Sequence, residues 1–380
     1  MITKQMNVTD KPFAPEPLGK MDKNKQELAA IAKAMLAPGK GLLAMDESNR
    51  TCNKRFEDVG IAPTEENRRA YRELILTTPG LGTAISGAIL YDETIHQAKK
   101  DGTPFIRLLT DAGIIPGIKV DTGAKDLAGH PDEKVTEGLD GLRERIAAYY
   151  KLGARFAKWR AVIKIGEGIP SDGCIEANAH ALARYAALCQ EGGLVPIVEP
   201  ETLMDGDHTI ETCYQTTEQV LHSVFNQLYA QGVAFELMIL KPNMVMAGKD
   251  CSQQANVAQV AEATVTCLLQ VVPAAVAGVA FLSGGQSCAL ASAHLNAMNA
   301  EYGSRLPWPL TFSFARAIQA PALHLWDGLN AKVKVAQDAL LYRAKCNQAA
   351  RQGKYSEEME TAEPALAAPE PQHAHLASQD

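Results

Sequence analysis

Lys241 closes the run Phe235-Glu236-Leu237-Met238-Ile239-Leu240-Lys241, so one ammonium stands at the end of an otherwise apolar segment. A lysine in such a place loses hydration, which disfavours its charged form and lowers a pKa that starts near ~10.4. Only the neutral amine attacks a carbonyl, so the chemistry on offer is imine formation. A lone strand-end lysine ordinarily snorkels to water, and its neighbours decide the matter. Leu42, Ala44 and Asp46 share one face of a short apolar run, which puts a carboxylate at its polar end. Lys119 ends Gly117-Ile118-Lys119, and Glu199 ends Leu194-Val195-Pro196-Ile197-Val198-Glu199. In Phe156-Ala157-Lys158-Trp159-Arg160 the same alternation turns Lys158 and Arg160 to one side and Trp159 to the other. A second lysine near the first raises the cost of charging either, so Lys158 is expected to depress the pKa of Lys241. A nearby carboxylate can move the protons.

A second set of residues has the chemistry of an anion site. Ser283-Gly284-Gly285-Gln286 follows an apolar run and precedes a helical stretch, so backbone N–H groups can approach a phosphate there. Arg316, just after Leu310 to Phe314, supplies a bidentate donor. Metal chemistry has no such support: the nine histidines are scattered, and no HExxH motif or paired-cysteine ligand set occurs. No metal and no cofactor is therefore expected.

The elements that must position these groups are short apolar runs alternating with helical stretches, which predicts a parallel sheet of βα units. Eight strands can be read, at Gly41 to Asp46, Gly82 to Leu90, Ile114 to Val120, Ala154 to Ile165, Leu194 to Glu199, Phe235 to Lys241, Gly278 to Leu282 and Leu310 to Phe314. Helical spacing marks Glu65 to Leu76, Gly138 to Leu152, Glu176 to Gln190, Ile210 to Gln231, Gln254 to Gln270 and Leu329 to Ala350. Eight strands close a single (β/α)8 TIM barrel, an α/β fold whose reactive groups gather where strands leave the core. An open doubly wound sheet is the alternative, but neither GxGxxG nor a P-loop is present. The expected organisation is an irregular N-terminal arm over 1–23, broken by Pro12, Pro15 and Pro17, a catalytic barrel over 24–355, and a flexible Ala- and Pro-rich C-terminal tail over 356–380.

Composition narrows the function classes. The 380 residues are 46% hydrophobic with a net charge of -7, which argues against a nucleic-acid partner. An anionic substrate must then meet a local cluster of Lys and Arg. The longest apolar stretch, Val271 to Leu282, is broken by Pro273 and too short to span a bilayer. With eight cysteines, no CxxC pair and no signal-peptide core, the chain reads as a cytoplasmic protein with reduced thiols. Cys52 falls in what reads as a polar loop.

The segments GLLAMDES, GIKVDTG, FAKWRAVIKIG, PIVEPE, LKPNMV, FLSGGQS, TFSFARA and QGKY, in this order, resemble the class I fructose-bisphosphate aldolases from about Lys40 to Tyr355. The resemblance implies metal-independent lyase chemistry on fructose 1,6-bisphosphate, in glycolysis and gluconeogenesis or in the Calvin cycle, by a homotetramer. It implies that Lys241 is the Schiff-base lysine and Glu199 the proton shuttle. Asp46 would act at the C4 hydroxyl or orient the lysine, and Lys158 would support proton transfer. Ser283, Gly284 and Arg316 would hold the C1 phosphate, while Lys119, Arg160, Ser48 and Arg55 would lie toward the C6 phosphate. The chain departs from the family pattern at Arg50, Thr51 and Ala315, where glycine or serine is more common. It ends in Ala377-Ser378-Gln379-Asp380 instead of the tyrosine that helps protonate the enamine in many members. His373 and His375 in that tail are the side chains able to exchange protons near neutral pH. Two other readings stay open at this stage: a catalytically silent scaffold, and a Schiff-base barrel enzyme of the transaldolase kind that needs one phosphate site.

Overall fold

The computed structural model describes residues 23–361; most of the segment 1–23 expected as an arm and of the segment 356–380 expected as a tail, with His373 and His375, lies outside the described residues. Ten strands form: β1 Gly41–Met45, β2 Ile85–Leu90, β3 Ile115–Lys119, β4 Gly123–Asp126, β5 Lys134–Glu137, β6 Phe156–Ile163, β7 Val195–Thr202, β8 Ile239–Leu240, β9 Gly278–Phe281 and β10 Leu310–Phe314. Eight of them close a parallel barrel in chain order, with β10 returning to β1 through Leu42 opposite Ser313. The other two, β4 and β5, pair as an antiparallel hairpin between β3 and β6. This is the predicted TIM barrel.

Alternation along the strands divides the apolar residues between two cores. Leu42, Ala44, Ile89, Phe156, Val195, Ile197 and Ile239 fill the barrel, and Leu28, Ala32 and Met35 of the helix Lys23–Met35 join them from the N-terminal end. Residues of the opposite parity, such as Leu43, Ala157, Trp159 and Val198, pack outward against the helical layer. Trp159 lies 5.5 Å from the Tyr185 ring. Many helices begin soon after a strand ends with a side-chain cap. Ser171 accepts from Cys174 N, Thr209 from Thr212 N and Ser287 from Leu290 N. Asn256 and Gln259 form a reciprocal capping box. Each such cap stabilises its helix by about 1 kcal/mol and sets where the chain turns at the catalytic face.

The sixth predicted strand, Phe235 to Lys241, is mostly not a strand. Phe235–Leu237 makes one 3-10 turn, and strand pairing is confined to Ile239–Leu240. The Gln190 side chain replaces the ladder here, accepting from Ala234 N at 2.9 Å and donating to Ala234 O at 2.8 Å. The fifth strand is longer than predicted and runs on to Thr202. Cys52 is not in a loop: it lies in the helix Asn49–Glu57 at 2% exposure, where burial raises its thiol pKa. None of the eight cysteines forms a disulfide.

Candidate active site

Four side chains, two inside strands β6 and β7 and two just past the ends of β1 and β8, form a continuous ionic row. Asp46 Oδ2 lies 2.8 Å from Lys158 Nζ, Lys158 Nζ lies 3.1 Å from Glu199 Oε2, and Glu199 Oε1 lies 2.9 Å from Lys241 Nζ. Strand register brings them together. Lys158 stands opposite Ile197 and Arg160 opposite Glu199 across the β6–β7 pair, and Lys241 N donates to Val198 O at 2.8 Å. Lys158, Glu199 and Lys241 are only 3%, 3% and 4% exposed, so each charge depends on its neighbours instead of on water. Asn243 secures the chain just past the lysine, accepting from Thr202 N at 3.0 Å and donating to Thr217 Oγ1 at 3.1 Å.

Burial pushes Asp46 and Glu199 toward protonation, but the lysines outweigh it and hold both carboxyls below their usual range. Burial likewise opposes the Lys158 ammonium, yet Asp46, Glu199 and Asp121 hold its pKa above the ordinary value. Direct repulsion between Lys158 and Lys241 was the sequence-based expectation. The structure places Glu199 in contact with both, so a carboxylate screens one ammonium from the other. Glu199 Oε2 meets Lys158 as an ion pair at 3.1 Å without a well-aligned hydrogen bond.

The predicted phosphate groups lie around the same mouth. Gly284 and Gly285 take left-handed backbone angles, φ 57° and 85°, which only glycine adopts without strain. Ser283 beside them is 7% exposed. The helix Arg316–Trp326 starts at the predicted arginine, whose Nη2 lies 3.2 Å from the position a Gly285 Cβ would occupy. The other cations are already engaged. Arg55 pairs with Glu47, which also meets Arg72 at 2.8 Å. Arg160 pairs with Glu201 and donates its backbone N–H to Asp121 at 3.2 Å. Lys119 lies 3.5 Å from Asp121 and 5.9 Å from the Tyr91 ring centre. Ser48 caps the helix Asn49–Glu57, accepting from Thr51 N at 3.2 Å. Burial, and then the charges of Arg55 and Arg160, lower the Arg316 pKa, so the two cation sets lie within electrostatic range of each other.

Glu201 and Asp121 were not singled out from sequence. Glu201 was legible in principle, since it stands two residues beyond Glu199 on the same face of β7. Its membership needed the longer strand. Among the described residues no group of His, Cys, Asp or Glu is arranged to hold a metal ion, and no helix is long and apolar enough to cross a membrane.

Comparison with known proteins agrees with this geometry. The family model described as fructose-bisphosphate aldolase class-I matches residues 27–370. A probable fructose-bisphosphate aldolase class 1 of Xanthomonas campestris is 61% identical over 87% of this chain and 98% of its own. Chloroplastic fructose-bisphosphate aldolase 3 of Arabidopsis thaliana is 52% identical over 88% of this chain and 84% of its own. Among solved structures, fructose-bisphosphate aldolase from Plasmodium falciparum, crystallised with TRAP and a small-molecule inhibitor, superposes with a TM-score of 0.87. It is 48% identical, over 88% of this chain and 97% of that one. A barrel with a buried Lys-Glu-Lys-Asp row, matched by this family along most of its length, belongs to the class-I fructose-bisphosphate aldolases.

Proposed function

We propose that the chain cleaves fructose 1,6-bisphosphate reversibly to dihydroxyacetone phosphate and glyceraldehyde 3-phosphate through an imine on Lys241. The observation that carries the reading is the contact of Glu199 with Lys241 at 2.9 Å and with Lys158 at 3.1 Å. A proton leaving the Lys241 ammonium has Glu199 Oε1 as its nearest acceptor, and the freed amine attacks C2 of the ketose. Glu199 then returns a proton to the carbinolamine oxygen, and water departs. The resulting iminium is the electron sink that an unassisted ketone cannot be. Asp46 takes the C4 hydroxyl proton as the C3–C4 bond breaks, and the aldehyde leaves. Protonation of the enamine at C3 and hydrolysis release dihydroxyacetone phosphate and restore the amine. Lys158, touching both Asp46 and Glu199, keeps charge balanced as protons move between them.

The turn at Ser283 and Gly284, with Arg316, is assigned to the C1 phosphate. Lys119, Arg160, Arg55 and Ser48 are assigned to the C6 side, where a second anion would compete with Asp121, Glu201 and Glu47 for cations already paired. Two phosphate-binding groups are what separate this reading from a one-phosphate Schiff-base enzyme. A homotetramer in the cytoplasm, with no disulfide among its eight cysteines, completes the proposal; the subunit count is checked by sedimentation.

Borohydride reduction in the presence of dihydroxyacetone phosphate tests the central step. Peptide mapping should find the label on Lys241, and Lys241→Arg should abolish both label and cleavage, because a guanidinium stays protonated. Labelling at Lys158 or Lys119 would overturn the assignment.

A further inference from the structure

Lys249 is a cation that the proposed mechanism does not use. Its Nζ and Arg316 Nη2 each lie 3.2 Å from the point where a Cβ on Gly285 would stand. Two cations therefore converge over the same glycine turn. Lys249 is exposed, yet its backbone is fixed: Gly248 N donates to His208 O at 2.8 Å, Lys249 N to Met204 O at 2.8 Å, and Asp250 N to Gly206 O at 2.9 Å. Gly248 permits this close pairing, since a Cβ there would stand 2.2 Å from Gly206 O. Asp205 Oδ1 holds the ammonium at 3.1 Å. The same segment backs the turn itself, because a Cβ on Gly284 would meet Met204 Sδ at 2.8 Å.

We propose that Lys249 is a second phosphate-binding cation, acting with Arg316 on the phosphate ester held at the 283–285 turn, and hence a specificity-determining residue. The proposal rests on the functional reading above. A phosphate ester carries close to two negative charges near neutral pH, more than the single positive charge of Arg316 balances. Arginine supplies a planar fork and lysine a point charge, so the two can engage different oxygens. The ammonium has three donors and can keep one on Asp205 while another reaches the phosphate.

The test is steady-state kinetics on fructose 1,6-bisphosphate and fructose 1-phosphate, with inhibition by dihydroxyacetone phosphate, for Lys249→Met, Lys249→Arg and Arg316→Ala. Lys249→Met should raise KM for both ketoses and Ki for the triose by ~10-fold, the size of one charge-assisted contact. Its kcat should stay within about twofold, since uniform binding is what is lost. Lys249→Arg should recover most of the affinity. Constants within about twofold of wild type for Lys249→Met, beside a clear loss for Arg316→Ala, would overturn the role of Lys249 alone. If neither variant weakens binding, the turn is not a phosphate site and the assignment of Arg316 falls with it. A loss on the bisphosphate only would place Lys249 at the other phosphate and equally sink the proposal.

Discussion

In the proposed mechanism the chemistry turns on Glu199, which among the described residues is the carboxylate that contacts both lysines. Glu199→Gln keeps the shape but loses the exchangeable proton and leaves two buried ammonium groups with one carboxylate, Asp46. Substrate binding should persist while imine formation slows by ~10²–10⁴-fold, measured by single-turnover trapping. Unchanged turnover would show that another carboxylate moves the proton. The variant should also change the acid limb of stability. Glu199 is held below its usual range in the folded protein, so its pairing contributes stability above the unfolded-state pKa and loses it as pH falls through the lower folded value. Chemical denaturation across that window should show a shallower pH dependence for Glu199→Gln than for wild type.

At the scale of elements, the quartet depends on what fills the barrel beneath it. Phe156 stands two residues before Lys158 on the inner face of β6, and its ring occupies the space over two glycines. A Cβ on Gly117 would lie 2.2 Å from that ring, and one on Gly87 3.1 Å. Gly117→Ala should therefore cost about 1–3 kcal/mol by overpacking, seen as a lower denaturant midpoint at constant m. It should also lower kcat, because a displaced Phe156 moves the strand that carries Lys158. A midpoint equal to that of wild type would mean that the ring has room to shift. Helix caps are less coupled to the site, and the capping box at Asn256 and Gln259 holds its helix without reaching the ionic row.

At the scale of the whole molecule, the C-terminal segment is tied to the barrel through one ion pair. Glu360, on the short helix Glu358–Thr361, meets Arg343 Nη1 at 2.6 Å and accepts from Tyr355 Oη at 2.7 Å. Arg343 is 4% exposed and also donates to Cys288 O at 2.9 Å. Ending the chain after Tyr355 would leave that guanidinium without its carboxylate, whereas ending it after Thr361 keeps the pair. The shorter truncation product should be less stable by about 1–3 kcal/mol, allowing for the partial exposure of Glu360. Both should retain aldol cleavage at moderate temperature. Equal thermal midpoints for the two products would show that the ion pair contributes nothing.

The barrel and most of its catalytic face were legible in the sequence because their signals are local. Period-two alternation ran Leu42, Ala44 and Asp46 along one face and turned Lys158 away from Trp159. The Gly284-Gly285 pair marked one place where a strand gives way to a helix. The partners of each charge were not legible, since Glu199 and Lys158 meet through the β6–β7 register and Lys249 and Arg316 meet over a turn that belongs to neither. β8 is short where Phe235–Leu237 turns on itself, Leu237 N donating to Ala234 O and Met238 N to Phe235 O, while the distant Gln190 side chain holds Ala234. Strand register across a closed barrel sets side-chain separations to within an ångström or so between residues far apart in the chain. No local pattern encodes those separations, and they decide which ammonium meets which carboxylate.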